Sequence, residues 1–136
     1  MRLKTDIEYT VNIEPADAQV WDSISDAATV RGEPRNAHRW AVTITNGTRS
    51  ATFAYWTGSA VPEAHADEAL ECLLWDAECG HATFREFTET NWVAENPADF
   101  YDTWIACRET LHKLAGIGII DITHSGPVPI GPRIGA

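Results

Sequence analysis

Basic residues are scarce in one half of this chain. Between Glu63 and Glu109 twelve acidic residues face only Arg85 and Arg108, a surplus equal to the whole net charge of −10. The eight acidic and eight basic residues elsewhere cancel. A region of one sign repels a nucleic-acid backbone and attracts basic protein surfaces, so direct phosphate binding through this half is excluded. Long apolar runs are absent too; none approaches the ~20 residues that a helical membrane span requires. No apolar stretch of the kind a secretory leader carries follows Met1-Arg2-Leu3-Lys4, so the expected location is the cytoplasm, that of a host cell in the reading reached below. Cysteine is limited to Cys72, Cys79 and Cys107, an odd number without framework spacing. That pattern predicts reduced thiols rather than a disulfide scaffold.

Catalytic signatures are missing as well. There is no Gly-x-Ser-x-Gly elbow, phosphate loop or dinucleotide fingerprint, and Gly116-Ile117-Gly118 lacks the preceding strand that a dinucleotide site needs. Paired carboxylates occur in any acidic chain and carry no information about glycoside chemistry. The expectation is a protein without catalytic residues, cofactor or metal. One thiol and imidazole set keeps a zinc alternative open: Cys72, Cys79 and His81, with Cys107 and His112 to complete a site. Six residues separate Cys72 from Cys79, unlike the short knuckles of structural zinc sites.

What the chain does have is a patterned core. Its 136 residues, 44% hydrophobic and 10% aromatic with six tryptophans, suit one domain over 1–124, followed by a Pro/Gly-rich extended tail over 125–136. Residues 39–56 alternate strictly around Asn46-Gly47 and predict a hairpin with a two-residue turn there, pairing Thr45 with Thr48, Val42 with Ala51 and Trp40 with Phe53. Trp40, Val42, Ile44, Ala51, Phe53 and Tyr55 then share an apolar face, and Thr43, Thr45, Thr48, Ser50 and Thr52 a polar one. Ile7, Tyr9, Val11 and Ile13 predict a further strand. Residues 15–28 suggest a short helix burying Val20, Trp21 and Ile24, and 31–38 a loop.

The second half reads as helical. After Pro62, residues 63–79 place Ala66, Leu70, Leu73, Leu74 and Ala77 on one stripe and Glu68, Cys72, Trp75 and Cys79 on the opposite one, with Gly80 as the stop. That opposite stripe is either a second buried surface or an exposed patch. Thr83-Phe84-Arg85-Glu86 has capping-box spacing and starts a short helix. Asn96-Pro97 opens a longer one carrying Phe100, Trp104, Cys107, Leu111 and Leu114 and ending at Gly116. Residues 117–122 suggest one more short strand. The expected fold is therefore α+β: a small antiparallel sheet centred on the hairpin, packed against two or three helices.

Three readings of the acidic region remain open: a solvated face, a docking face for a basic protein, or local mimicry of a phosphate backbone. The candidate docking residues are Asp67, Glu68, Glu71, Asp76, Glu78, Glu86 and Glu89, with Trp75 or Trp92 as aromatic anchor.

Trp40-Ala41-Val42-Thr43-Ile44, Tyr55-Trp56-Thr57-Gly58, the segment Glu68 to Ala77, Phe84-Arg85-Glu86-Phe87 and the segment Thr103 to Arg108 occur in that order. Together, over about residues 39–115, they resemble a group of small bacteriophage and prophage proteins without an established function. Where members of that group often carry a Gly-Tyr-Asp-like loop and basic residues, this chain has Asn91 to Pro97. The resemblance implies a phage-encoded accessory protein and supplies no catalytic residue. Joined to the acidity, it leads to a non-enzymatic inhibitor of a host nucleic-acid-handling defence complex, of the anti-CRISPR or antirestriction type. The alternatives are a small enzyme or metal-binding domain and a phage assembly component.

Overall fold

The computed structural model describes residues 2–4, 6–25, 33–58, 65–90 and 100–122. The elements run β1 (Arg2–Leu3), β2 (Thr10–Pro15), α1 (Ala18–Ile24), β3 (His38–Thr45), β4 (Ser50–Thr57), α2 (Ala66–His81), α3 (Phe84–Thr90), α4 (Tyr101–Gly116) and β5 (Ile120–Asp121). An antiparallel sheet of order β2-β3-β4 carries the fold, and β1 pairs with β5 in a separate two-stranded ribbon. This is the α+β architecture expected from the alternation in the first half and the helical periodicity in the second.

The hairpin register differs from the expectation by two. Thr45 pairs with Ser50, Val42 with Phe53 and Trp40 with Tyr55. The turn residues are Gly47 and Thr48, because Asn46 is still paired: its amide donates to the Arg49 carbonyl at 3.1 Å. Gly47 takes φ = 91°, a positive value of the kind that primed hairpin turns demand. A shift of two conserves the side-chain parity of a strand, so the apolar face is the one expected. Val42, Ile44 and Phe53 are buried on it, joined by Val11 and Ile13 from β2. On the other face the Thr43 and Thr52 hydroxyls meet at 3.0 Å.

That other face is not left wholly to water. α1 is capped by Asp17, whose carboxylate accepts from the Val20 amide at 2.8 Å, and it buries Trp21 to 1% exposure. The indole lies beneath the Arg39 guanidinium, 5.0 Å from ring centroid to Cζ. Arg39 projects from β3 on the side opposite Val42 and Ile44, so α1 covers one end of the polar face. The two carboxylate oxygens of Glu33 accept from Arg39 Nε and Nη2 at 2.9 Å each, and this pairing holds the guanidinium above its already high pKa. Of the three apolar residues expected to be buried in α1, only Trp21 is; Ile24 is half-buried and Val20 is exposed at 39%. A helix of seven residues has one narrow inward face, and Trp21 fills it.

α2 and α4 pack on the apolar face. Ala69, Leu73 and Ala77 from α2 and Leu111 and Leu114 from α4 share one core with the sheet residues. The two helices touch at Gly80, where a Cβ would stand 2.4 Å from the carbonyl carbon and oxygen of Cys107. Gly80 is therefore a crossing point within α2 rather than its stop; the helix runs one residue further, to His81. Towards the C-terminal end of α2 and the N-terminal end of α4, Cys79, Phe87 and Cys107 form a second core with Trp75, Phe84, Phe100 and Trp104 around it. Of the stripe opposite the leucines, Cys79 is therefore buried and Trp75 packs beside it, while Cys72 is half-buried and Glu68 exposed.

α4 ends in a Schellman arrangement. Gly118 (φ = 79°) donates to Ala115 at 3.0 Å, Ile119 donates to Leu114 at 3.4 Å, and Leu114 and Ile119 share the main core. Two further terminal carbonyls are met by the hairpin loop. Arg49 Nη1 donates to Gly116 at 3.0 Å and Asn46 Nδ2 to Ile117 at 2.6 Å. The tail over 125–136 and the expected start of α4 at Asn96-Pro97 lie outside the described residues.

Candidate functional site

α2 opens the acidic region. Asp67 and Glu68 occupy its first turn, where carboxylates complement the positive end of the helix dipole. Asp67, Glu71 and Glu78 recur at spacings of four and seven, which places them on the side opposite Ala69, Leu73 and Ala77. Asp67, Glu68 and Glu71 are exposed; Asp76 and Glu78 are half-buried. At 1.5 Å per residue, the stripe from Asp67 to Glu78 is about 16 Å long.

α3 continues it. The Thr83 hydroxyl donates to the Glu86 carboxylate at 2.9 Å and accepts from the Glu86 amide at 3.2 Å, so the expected capping pair starts this helix. Glu89 accepts from Arg85 Nε at 3.1 Å, an exposed pair one turn apart that contributes little and yields easily to a competing cation. Glu86 and Glu89 are exposed. The second cation, Arg108, is committed inward: its Nη1 donates to the Gly80 carbonyl at 3.2 Å and its guanidinium lies 5.1 Å from the Trp104 ring.

The aromatic anchor is placed differently from expectation. Trp75 sits half-buried against the second core of Cys79, Phe87 and Cys107, because α3 folds over that side of α2. It serves packing rather than standing free as a docking residue. Trp92 lies outside the described residues. Among the described residues the exposed aromatic is Tyr101, at 50%. Its ring stands 5.2 Å from Phe84 and 5.6 Å from Trp104, and Phe84 and Trp104 are themselves 5.6 Å apart. The sequence carried the signal for this, since Tyr101 falls one residue off the stripe of Phe100, Trp104 and Cys107.

The thiol and imidazole set does not form a cluster of three, and Cys72 is half-buried on α2. Cys79 and Cys107 are enclosed in the second core, His81 Nε2 lies 3.1 Å from the Ile122 carbonyl, and His112 is exposed on α4. Among the described residues no three His, Cys, Asp or Glu side chains are grouped so as to hold a metal. Nor, among them, is any helix long and apolar enough to cross a membrane. Compared with known proteins, the chain matches no protein-family model, no curated protein and no solved structure.

Proposed function

We propose that this chain is a non-enzymatic binding protein that docks through the outward carboxylates of α2 and α3 onto a basic protein surface. The observation that carries the reading is the exposure of Asp67, Glu68, Glu71, Glu86 and Glu89 on two consecutive helices, inside the stretch that holds the whole net charge. Carboxylates held on a helix compete for Lys/Arg-lined surfaces that otherwise bind phosphates. The target class that follows is a nucleic-acid-handling complex, and inhibition follows from occupying its basic channel. The resemblance to phage proteins supplies the setting, a host defence complex of the CRISPR or restriction type.

The test is capture of partners from bacterial lysate by the tagged protein at low and high salt. A parallel bait carries Glu68→Gln, Glu71→Gln and Glu89→Gln, which keep helix propensity and remove three charges. A nucleic-acid-binding complex captured by the parent at low salt, and lost at high salt and with the triple variant, is the expected result. Equal capture by both baits would overturn the docking face.

A further inference from the structure

The corner between α3 and α4 carries three contiguous rings that main-core packing does not use. Tyr101 is half exposed while its two neighbours are fixed from behind. Trp104 Nε1 donates to the Ala82 carbonyl at 3.0 Å, and Phe84 stacks on the buried Phe87 with centroids 6.3 Å apart. Single exposed apolar side chains are ordinary on protein surfaces. A ring that rests against two fixed neighbours is a partly preformed anchor, because part of the entropy of ordering it is lost on folding rather than on binding.

Its surroundings select the occupant. Tyr101 is followed on α4 by the exposed Asp102, and the charge of Arg85, next to Phe84 on α3, is met by Glu89 at 3.1 Å. An electron-rich ring face next to a carboxylate favours a cation. One ring of the group already takes a planar cation, since Arg108 lies over Trp104. A guanidinium stacks on an aromatic face while its N–H groups reach carboxylates; an ammonium offers only a point charge. Resting on the docking reading above, we infer that Tyr101, on the platform of Phe84 and Trp104, is the anchor for an arginine-bearing basic segment of the partner, and that this corner prefers arginine over lysine.

Calorimetric titration with nona-arginine and nona-lysine peptides tests the inference. Arginine is expected to bind about two- to fivefold more tightly, the ratio that a differential cation–π contribution of ~0.5–1 kcal/mol gives. Tyr101→Phe keeps the ring and should keep that ratio. Tyr101→Leu keeps apolar area without the ring face and should bring the ratio close to one, with the larger loss of affinity on nona-arginine. A ratio near one in the parent, or a ratio that survives Tyr101→Leu, overturns the inference. The variant lacking the Glu68, Glu71 and Glu89 charges separates this from the reading it rests on: it should weaken both peptides equally and retain the ratio. Unchanged affinity for both peptides in that variant would remove the acidic face, whatever the ratio shows.

Discussion

Gly80 and Gly118 are needed for unrelated physical reasons, and substitution separates them. A methyl group at Gly80 meets the Cys107 carbonyl at 2.4 Å and the Arg108 amide nitrogen at 2.5 Å, backbone atoms that cannot rotate away. Gly80→Ala must push α2 from α4 and is expected to cost about 1–3 kcal/mol or more, read as a lower urea midpoint. Gly118→Ala would meet only Asn46 Nδ2, at 3.7 Å, an ordinary contact, but keeps φ at 79°, so its cost is that of the left-handed conformation, roughly 1–2 kcal/mol. Gly116→Ala, in helical conformation with nothing within 4 Å, should stabilise by about 0.5–1 kcal/mol. The sequence does not distinguish these three. A glycine after an apolar helical run reads as a stop, and at Gly80 that pattern arises from a partner helix nearly thirty residues away. The same limit applies to Trp75 and Cys79, whose position opposite the leucines was legible. That α3 would cover them was not, because the burying surface belongs to Phe87.

At the scale of elements, the hairpin loop is a cap for α4. Asn46 divides its side chain between two tasks: Oδ1 accepts from the Thr48 and Arg49 amides at 2.9 and 2.8 Å, and Nδ2 donates to Ile117. Asn46→Ala would leave the Ile117 carbonyl and two turn amides to water, at about 1–2 kcal/mol. Amide hydrogen exchange should show faster opening of the last turn of α4 as well as of the β3–β4 turn. Acceleration confined to the turn would show that the loop does not hold the helix end. This double use explains why strand faces were legible in the sequence and the register was not. Alternation from Trp40 to Tyr55 fixes which side chains face inward, and a shift of two leaves that set unchanged. The turn, however, is decided by where Asn46 finds its third partner, 71 residues along the chain. α1 was half legible for a similar reason. Its apolar residues announce a helix, but the end of the polar face that it covers is chosen by Arg39, which presents both the stack for Trp21 and the pairing with Glu33. For the candidate site, Asp67, Glu68, Glu71, Glu86 and Glu89 are exposed, while Asp76 and Glu78 are half-buried. Trp75, expected as an aromatic anchor, is half-buried against the second core, and Tyr101 is the aromatic that the described residues leave exposed.

For the whole molecule, concentration of the net charge of −10 in one stretch has two consequences of opposite sign in salt. Like charges along α2 and α3 repel one another in the folded state, and at low ionic strength that repulsion opposes compactness. The screening length falls to about 10 Å at 0.1 M salt, shorter than the ~16 Å stripe from Asp67 to Glu78, so moderate salt removes most of the repulsion. The melting temperature is therefore expected to rise between about 10 and 150 mM sodium chloride and then level off. A gain on the order of 1 kcal/mol corresponds to about 3 °C in a domain of this size. Removing the Glu68, Glu71 and Glu89 charges should flatten the salt dependence of the melting temperature, while the lost helix-dipole contribution of Glu68 and the lost Arg85–Glu89 pair offset part of the relieved repulsion. Docking on a basic partner moves the other way, because the same ions screen the attraction. Charge kept only for solubility predicts the first dependence without the second. Charge kept for a partner predicts both, over the same range of salt, and the triple variant should gain stability as it loses binding. A variant that gained stability and lost no binding would return the acidic helices to an ordinary solvated face.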